Sequence, residues 1–270
     1  MLHPSPVVTA EGFERAVVTP ESLRPWISEI GHIPTVREPI GPLAHVPQTA
    51  ITLVLRTQES GRRDAFVLGS RTKAVYADAD KPAGCTRLRL APGAARPLLG
   101  LSAADLTDRA FRLREVPGPA ADLADTLAEL APHEIVPFLE SALPQRLTEN
   151  ATRLAHRRLL TAAVDAMATG SASLTTLAAT LAVSERQLRA LFTVGTGLSP
   201  KHYARILRLR RVLAAAGNTP WSDIAVATGY FDQSHLTSDF RSLMGVPPAG
   251  FVKGHLPVPT PCAPLSEFPG

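Results

Sequence analysis

Two short polar clusters hold residue types suited to reading nucleic-acid bases: Arg186 and Arg189 in one, Gln233, Ser234, His235 and Thr237 in the other. Arginine can donate two hydrogen bonds to O6 and N7 of guanine, glutamine can pair bidentately with N6 and N7 of adenine, and hydroxyls can serve either base. Ahead of each cluster stands a residue able to cap a helix, Ser184 or Asp232. Its side-chain oxygen can accept from the free N–H groups of the first turn.

The elements that must carry these clusters come as two copies of one pattern. Leu177, Ala178, Ser184, Leu188, Phe192, Gly197, Pro200 and Tyr203 are matched in order by Ile224, Ala225, Asp232, Leu236, Phe240, Gly245, Pro248 and Phe251. The shift is 47 residues before the turn and 48 after it, so the second copy has one extra turn residue. Leu174, Leu177, Ala178 and Leu181 recur at the spacing of a short amphipathic helix. Each copy therefore reads as helix, tight turn, helix. An all-helical scaffold with no ligand would share this periodicity, so the polar face of each second helix decides. With Leu188, Leu191 and Phe192 inward, Glu185, Arg186, Arg189 and Ala190 point out; with Leu236 and Phe240 inward, Gln233, Ser234, Thr237 and Ser238 do.

Between the copies, Pro200 to Ala216 reads as one helix of about 17 residues, roughly 25 Å long. It carries Lys201, Arg205, Arg208, Arg210 and Arg211. These, with Arg241, are expected to meet phosphates or to form intramolecular ion pairs, and Ser184 and Asp232 to position their helices. Such a rod could hold two recognition helices near the roughly 34 Å spacing of successive major-groove faces.

Residues about 171–254 resemble the DNA-binding domain of the AraC/XylS family of bacterial transcriptional regulators. The resemblance is carried by Ile224-Ala225, by Gly229-Tyr230-Phe231-Asp232-Gln233-Ser234-His235-Leu236, and by Asp239-Phe240-Arg241, Met244-Gly245, Pro247-Pro248 and Phe251. In the first copy Ser184, Arg186, Leu188, Leu191-Phe192, Gly197, Ser199-Pro200 and Tyr203 fit the same pattern. It implies sequence-specific binding of double-stranded DNA by two helix-turn-helix subdomains joined by a central helix. The family commonly places Arg two residues before the core Phe of each recognition helix, where this chain has Ala190 and Ser238. A regulator with degenerate DNA binding, acting through protein or ligand contacts, is the alternative those positions raise.

The first half has another texture. Short runs at Ile51–Thr57, Asp64–Leu68, Lys73–Ala77 and Cys85–Leu90 have strand length and composition, with turns expected at Glu59-Ser60-Gly61 and Ala83-Gly84. Helices are expected from Pro119 to Leu130 and Asn150 to Met167. The fold class is α+β: a mostly antiparallel barrel or sandwich at 1–118, a helical linker at 119–170, the DNA-binding domain at 171–254 and a Pro-rich tail at 255–270. Phe66–Thr72 and Arg87–Ala94 resemble the N-terminal domain of a subset of the family, which implies a domain that binds a small effector or dimerises. RNA polymerase would be a partner if the chain activates transcription. Arg56, Arg71, Arg87 and Arg89 could bind an acidic effector if they face a barrel interior, although such residues more often lie on a solvated face.

The chain has 270 residues, with apolar residues at 45% and charged at 19%. This is globular usage with room for two domains and no run long enough to span a bilayer. Met1-Leu2-His3-Pro4 begins no signal peptide, and a cytoplasmic protein is expected. Residues 171–270 hold nine Lys or Arg against five Asp or Glu, so the whole net charge of +4 falls in the basic last third. The eight histidines show no metal-like spacing and Cys85 and Cys262 form no CxxC pair, so neither metal nor cofactor is expected. G-x-S-x-G, a phosphate loop and H-E-x-x-H are all absent, and an enzyme is not expected. Alkyl-transfer repair proteins with this type of DNA-binding domain use cysteines near the N-terminus, and none precedes Cys85.

Overall fold

A computed structural model describes residues 8–36, 42–58, 61, 63–78, 83–147, 149–170, 173–217 and 219–259. The first half alternates in burial, as strands with one covered face must. It forms β1 (Val8–Thr9), β2 (Arg15–Val17), β3 (Ile27–Val36), β4 (Pro42–His45), β5 (Thr52–Gln58), β6 (Arg63–Leu68), β7 (Val75–Asp78), β8 (Ala83–Leu90) and β9 (Ala110–Arg112). Six of them make an antiparallel sheet in the order β2-β3-β8-β5-β6-β9, and β1-β4-β7 make a smaller one.

Register explains the core. Phe111 pairs with Val67, Val67 with Leu53, Leu53 with Leu88 and Leu88 with Ile30, so one buried apolar row crosses five strands. A slip of one residue would turn that row outward. Helices α1 (Ala95–Leu99), α2 (Ala103–Leu106), α3 (Ala124–Glu129) and α4 (Ile135–Arg146) cover it with Leu98, Leu99, Leu106, Leu127, Ile135 and Leu139. The next row, on the opposite face, is Phe66, Val54, Arg87 and Gly31.

Helix α5 (Ala151–Thr169), capped by Asn150, carries Leu160 and Ala163 into a second core with the first copy. There follow α6 (Leu174–Thr180), α7 (Glu185–Thr196), α8 (Pro200–Ala215), α9 (Trp221–Ala227), α10 (Gln233–Met244) and α11 (Pro248–Val252). The α+β class is as expected, and both copies fold as helix, turn, helix. Three expectations need correction. Ala83-Gly84 opens β8 instead of turning. The helix expected from Pro119 begins as a 3₁₀ turn at Ala121–Leu123 and becomes α-helical only at Ala124. Lys73 and Ala74 stay outside β7, because the Ala74 N–H donates to the Leu243 carbonyl at 2.8 Å. Glu59-Ser60, His3, Cys262 and residues 260–270 of the Pro-rich tail lie outside the described residues.

That last bond belongs to a set that joins the two halves. The Gly93 N–H donates to the Gly195 carbonyl at 3.0 Å, and Thr107 Oγ1 to that of Gly197 at 3.1 Å. Tyr76 donates to the Met244 carbonyl at 2.7 Å. Gly195 and Leu243 are equivalent positions of the two copies, so the N-terminal half donates a backbone N–H to the same carbonyl twice. Ala44, Val46 and Tyr76 share a third core with Leu209, Val212, Ile224, Leu236 and Phe240. All these contacts fall at the C-terminal ends of α7 and α10 or behind them.

Candidate nucleic-acid interface

The opposite ends of α7 and α10 are built for presentation. Ser184 Oγ accepts from the Gln187 N–H at 3.1 Å, and Asp232 Oδ1 from the His235 N–H at 2.7 Å, so both caps form as expected. Leu188 and Phe192, and Leu236 and Phe240, are fully buried. This anchoring turns the polar residues to solvent. Arg186 is exposed, with no hydrogen bond or ion pair among the described residues, whereas Arg189 is paired with Glu185 four residues back at 2.7 Å. Arg189 must leave Glu185 before it can meet a base. Arg189 is largely exposed and Glu185 half-buried, and a surface pair of this kind is worth little, so that exchange costs little.

On α10, Gln233, Ser234, Thr237, Ser238, Arg241 and Ser242 line one open concavity. Gln233, Ser234 and Arg241 are exposed and Thr237 is half-buried. His235 is exposed too, but its ring meets the Tyr230 ring edge-on at 5.1 Å. Its backbone therefore serves the cap while its side chain braces the turn.

The arginines of α8, expected to meet phosphates or to pair internally, find partners within the chain. Arg205 Nε donates to Asp239 Oδ1 at 2.6 Å and its Nη2 to Ser242 Oγ at 3.1 Å. Asp239 accepts on its other oxygen from the Tyr230 hydroxyl at 2.9 Å, and Arg208 lies over the Tyr230 ring at 4.8 Å. Burial, then the neighbouring Asp239 charge, raises the Tyr230 phenol well above its usual range. Arg211 donates to the Ala168 carbonyl at 2.6 Å, at the C-terminal end of α5, where a cation suits the helix dipole. Arg210 reaches the Pro47 carbonyl and Glu11. Arg205, Arg208 and Arg211, expected to meet phosphates or pair internally, all have internal partners here. Lys201 and Arg241 are exposed.

The N-terminal arginines are also engaged. Arg89 grips Glu14 through two bonds of 2.6 and 2.7 Å, and Arg87 joins at 3.4 Å. Burial alone would raise the Glu14 carboxyl, but these guanidinium groups hold it below its usual range. Arg56 pairs with Asp64 and lies over Phe66, and Arg71 exchanges two backbone hydrogen bonds with Gln48. Burial pushes the Cys85 thiol up. No helix among the described residues is long and apolar enough to cross a membrane.

Residues 177–254 match the family model described as a helix-turn-helix domain. This part of the chain is a helix-turn-helix domain. The match covers both capped helices, and the helix-turn-helix reading drawn from their motifs is borne out on those residues. The solved structures similar to the chain include a transcriptional regulator from Chromobacterium violaceum described as AraC-type, at 27% identity over 38% of this chain and 94% of that one, with a TM-score of 0.34. Another is the DNA-binding domain of AdpA in complex with a target DNA, at 20% identity over 37% and 91%, TM-score 0.33. ToxT from Vibrio cholerae aligns over 83% of this chain and 96% of its own, at 9% identity and TM-score 0.41. No curated protein matches.

Proposed function

We propose that α7 and α10 enter adjacent major-groove segments of one duplex, each by its capped N-terminal end. Arg186 and Arg189 read bases from the first helix, and Gln233, Ser234 and Thr237 from the second, with His235 beside them. Lys201 and Arg241 meet phosphates. The observation that carries this reading is the pair of equivalent helices, each anchored by a buried Leu and Phe with its polar face to solvent. The N-terminal half modulates binding through an effector or dimerisation. Support for that coupling comes from its contacts with equivalent carbonyls of both copies, which tie the two recognition helices to one sensor.

Selection from a random duplex pool by the full-length chain tests the reading. Two enriched motifs about 10 base pairs apart are expected, and no enrichment at low salt refutes it. Arg186→Ala should weaken binding to the selected site more than to unrelated duplex; equal losses would remove Arg186 from base reading.

A further inference from the structure

The turn of the second copy is one residue longer than that of the first, and Phe231 is the residue it adds. In the first copy the Val183 N–H donates to the Ala178 carbonyl at 3.0 Å, and the cap Ser184 follows at once. The Tyr230 N–H makes the equivalent bond to Ala225 at 2.8 Å, but Phe231 intervenes before the cap Asp232. Val183 packs onto the core of its own copy and Tyr230 is buried in the other. Phe231 has no such place. At 91% it is the most exposed large apolar side chain among the described residues. A residue ahead of an N-cap often packs back onto the fourth residue of the helix. Here that residue, Leu236, is already buried in the core, and the Phe231 ring stays in solvent.

We propose that Phe231 is a specificity-determining residue that reads a thymine through its C5-methyl group. The inference rests on α10 being a DNA-reading helix. A helix that leads with its N-terminus carries the ring into the major groove beside Gln233 and Ser234. There the apolar feature on offer is the thymine methyl. A benzene ring has no hydrogen bond to give, so it selects by that methyl alone. The polar, exposed start of α10 favours a groove over an apolar protein surface as the occupant.

The test uses the full-length chain and the site it selects from a random duplex pool. Each thymine in the half read by α10 is replaced singly by deoxyuridine, which removes only the methyl. One replacement is expected to weaken the wild-type complex about fourfold, the worth of one buried methyl. Phe231→Ala should bind both duplexes equally, no more tightly than wild type binds the uracil form, and the exposure of the ring leaves the fold untouched. If the variant responds to every replacement as wild type does, or if no replacement weakens wild type, the thymine contact is overturned while DNA reading stands. If the chain enriches no sequence, DNA reading and thymine contact fall together. A variant that binds both duplexes as wild type does but no longer regulates a promoter carrying the site would give the ring to a protein partner and overturn the proposal.

Discussion

The contact between the N-terminal half and α7 can be weighed with a control supplied by the repeat. Gly197 and Gly245 end α7 and α10 at equivalent positions, both in the left-handed region, with φ of 78° and 76°. A side chain in that conformation costs about 1–2 kcal/mol, and the cost is common to both. Their surroundings differ. A Cβ on Gly197 would lie 2.2 Å from Thr107 Oγ1, 2.6 Å from the Ala103 carbonyl oxygen and 2.9 Å from Ser70 Oγ, all in the N-terminal half. A Cβ on Gly245 would meet nothing closer than Pro257 Cγ at 3.7 Å. Gly197→Ala must therefore move backbone in α2 or break the Thr107 bond, adding about 1–3 kcal/mol of overpacking. We expect Gly245→Ala to cost about 1 kcal/mol and Gly197→Ala about 2–4 kcal/mol in urea unfolding of the full chain followed by circular dichroism. Equal losses in the two variants would mean that the N-terminal half does not press on the end of α7 in solution.

Four further outcomes follow from the charges. Burial, then the charges of Arg71 and Arg87, pushes His45 down to about 3 from an ordinary 6.5. The unfolded chain thus takes the proton first, and stability falls as pH drops from 6.5 toward 3, by up to about 1.4 kcal/mol per unit; His45→Gln should flatten unfolding midpoints between pH 7 and 5, and an unchanged slope would count against a buried neutral imidazole. Glu14→Ala strands two mostly buried guanidinium groups and should cost about 3 kcal/mol by thermal unfolding; a loss under about 1 kcal/mol would show that water solvates them. For the DNA complex, Arg241→Ala should reduce the slope of log K against log salt by about 0.9. Arg205→Ala should leave that slope unchanged while destabilising the fold by about 2 kcal/mol, a buried-pair loss discounted for the partial exposure of Arg205. A smaller slope in the Arg205 variant would reinstate it as a phosphate contact.

What could be read from the sequence was local, and what could not was carried by distant partners. The two copies announce themselves through spacing within a few turns: Leu188 and Phe192 bury one face, Ser184 caps one end and Gly197 closes the other, all within 14 residues. Nothing local tells Arg205 from Arg241. The first turns inward because Asp239 and Ser242 come from another helix, and the second stays out because no element among the described residues covers it. Helix α4, within the region expected to be helical, holds two prolines: Pro137 lies in its first turn, where the missing N–H costs no bond, and Pro144 falls in its last.

The docking of the two halves was illegible for a more general reason. Gly93 and Ala74 donate through the backbone to carbonyls at the ends of α7 and α10, and a carbonyl has the same chemistry whatever side chain stands beside it. A duplicated helix-turn-helix places two such carbonyls in equivalent settings, as surely as it places two capped ends for reading. The repeat that makes the reading face recognisable from side chains thus makes a second, paired face from backbone alone. An N-terminal half that holds both carbonyls touches both α7 and α10 with no motif to betray it.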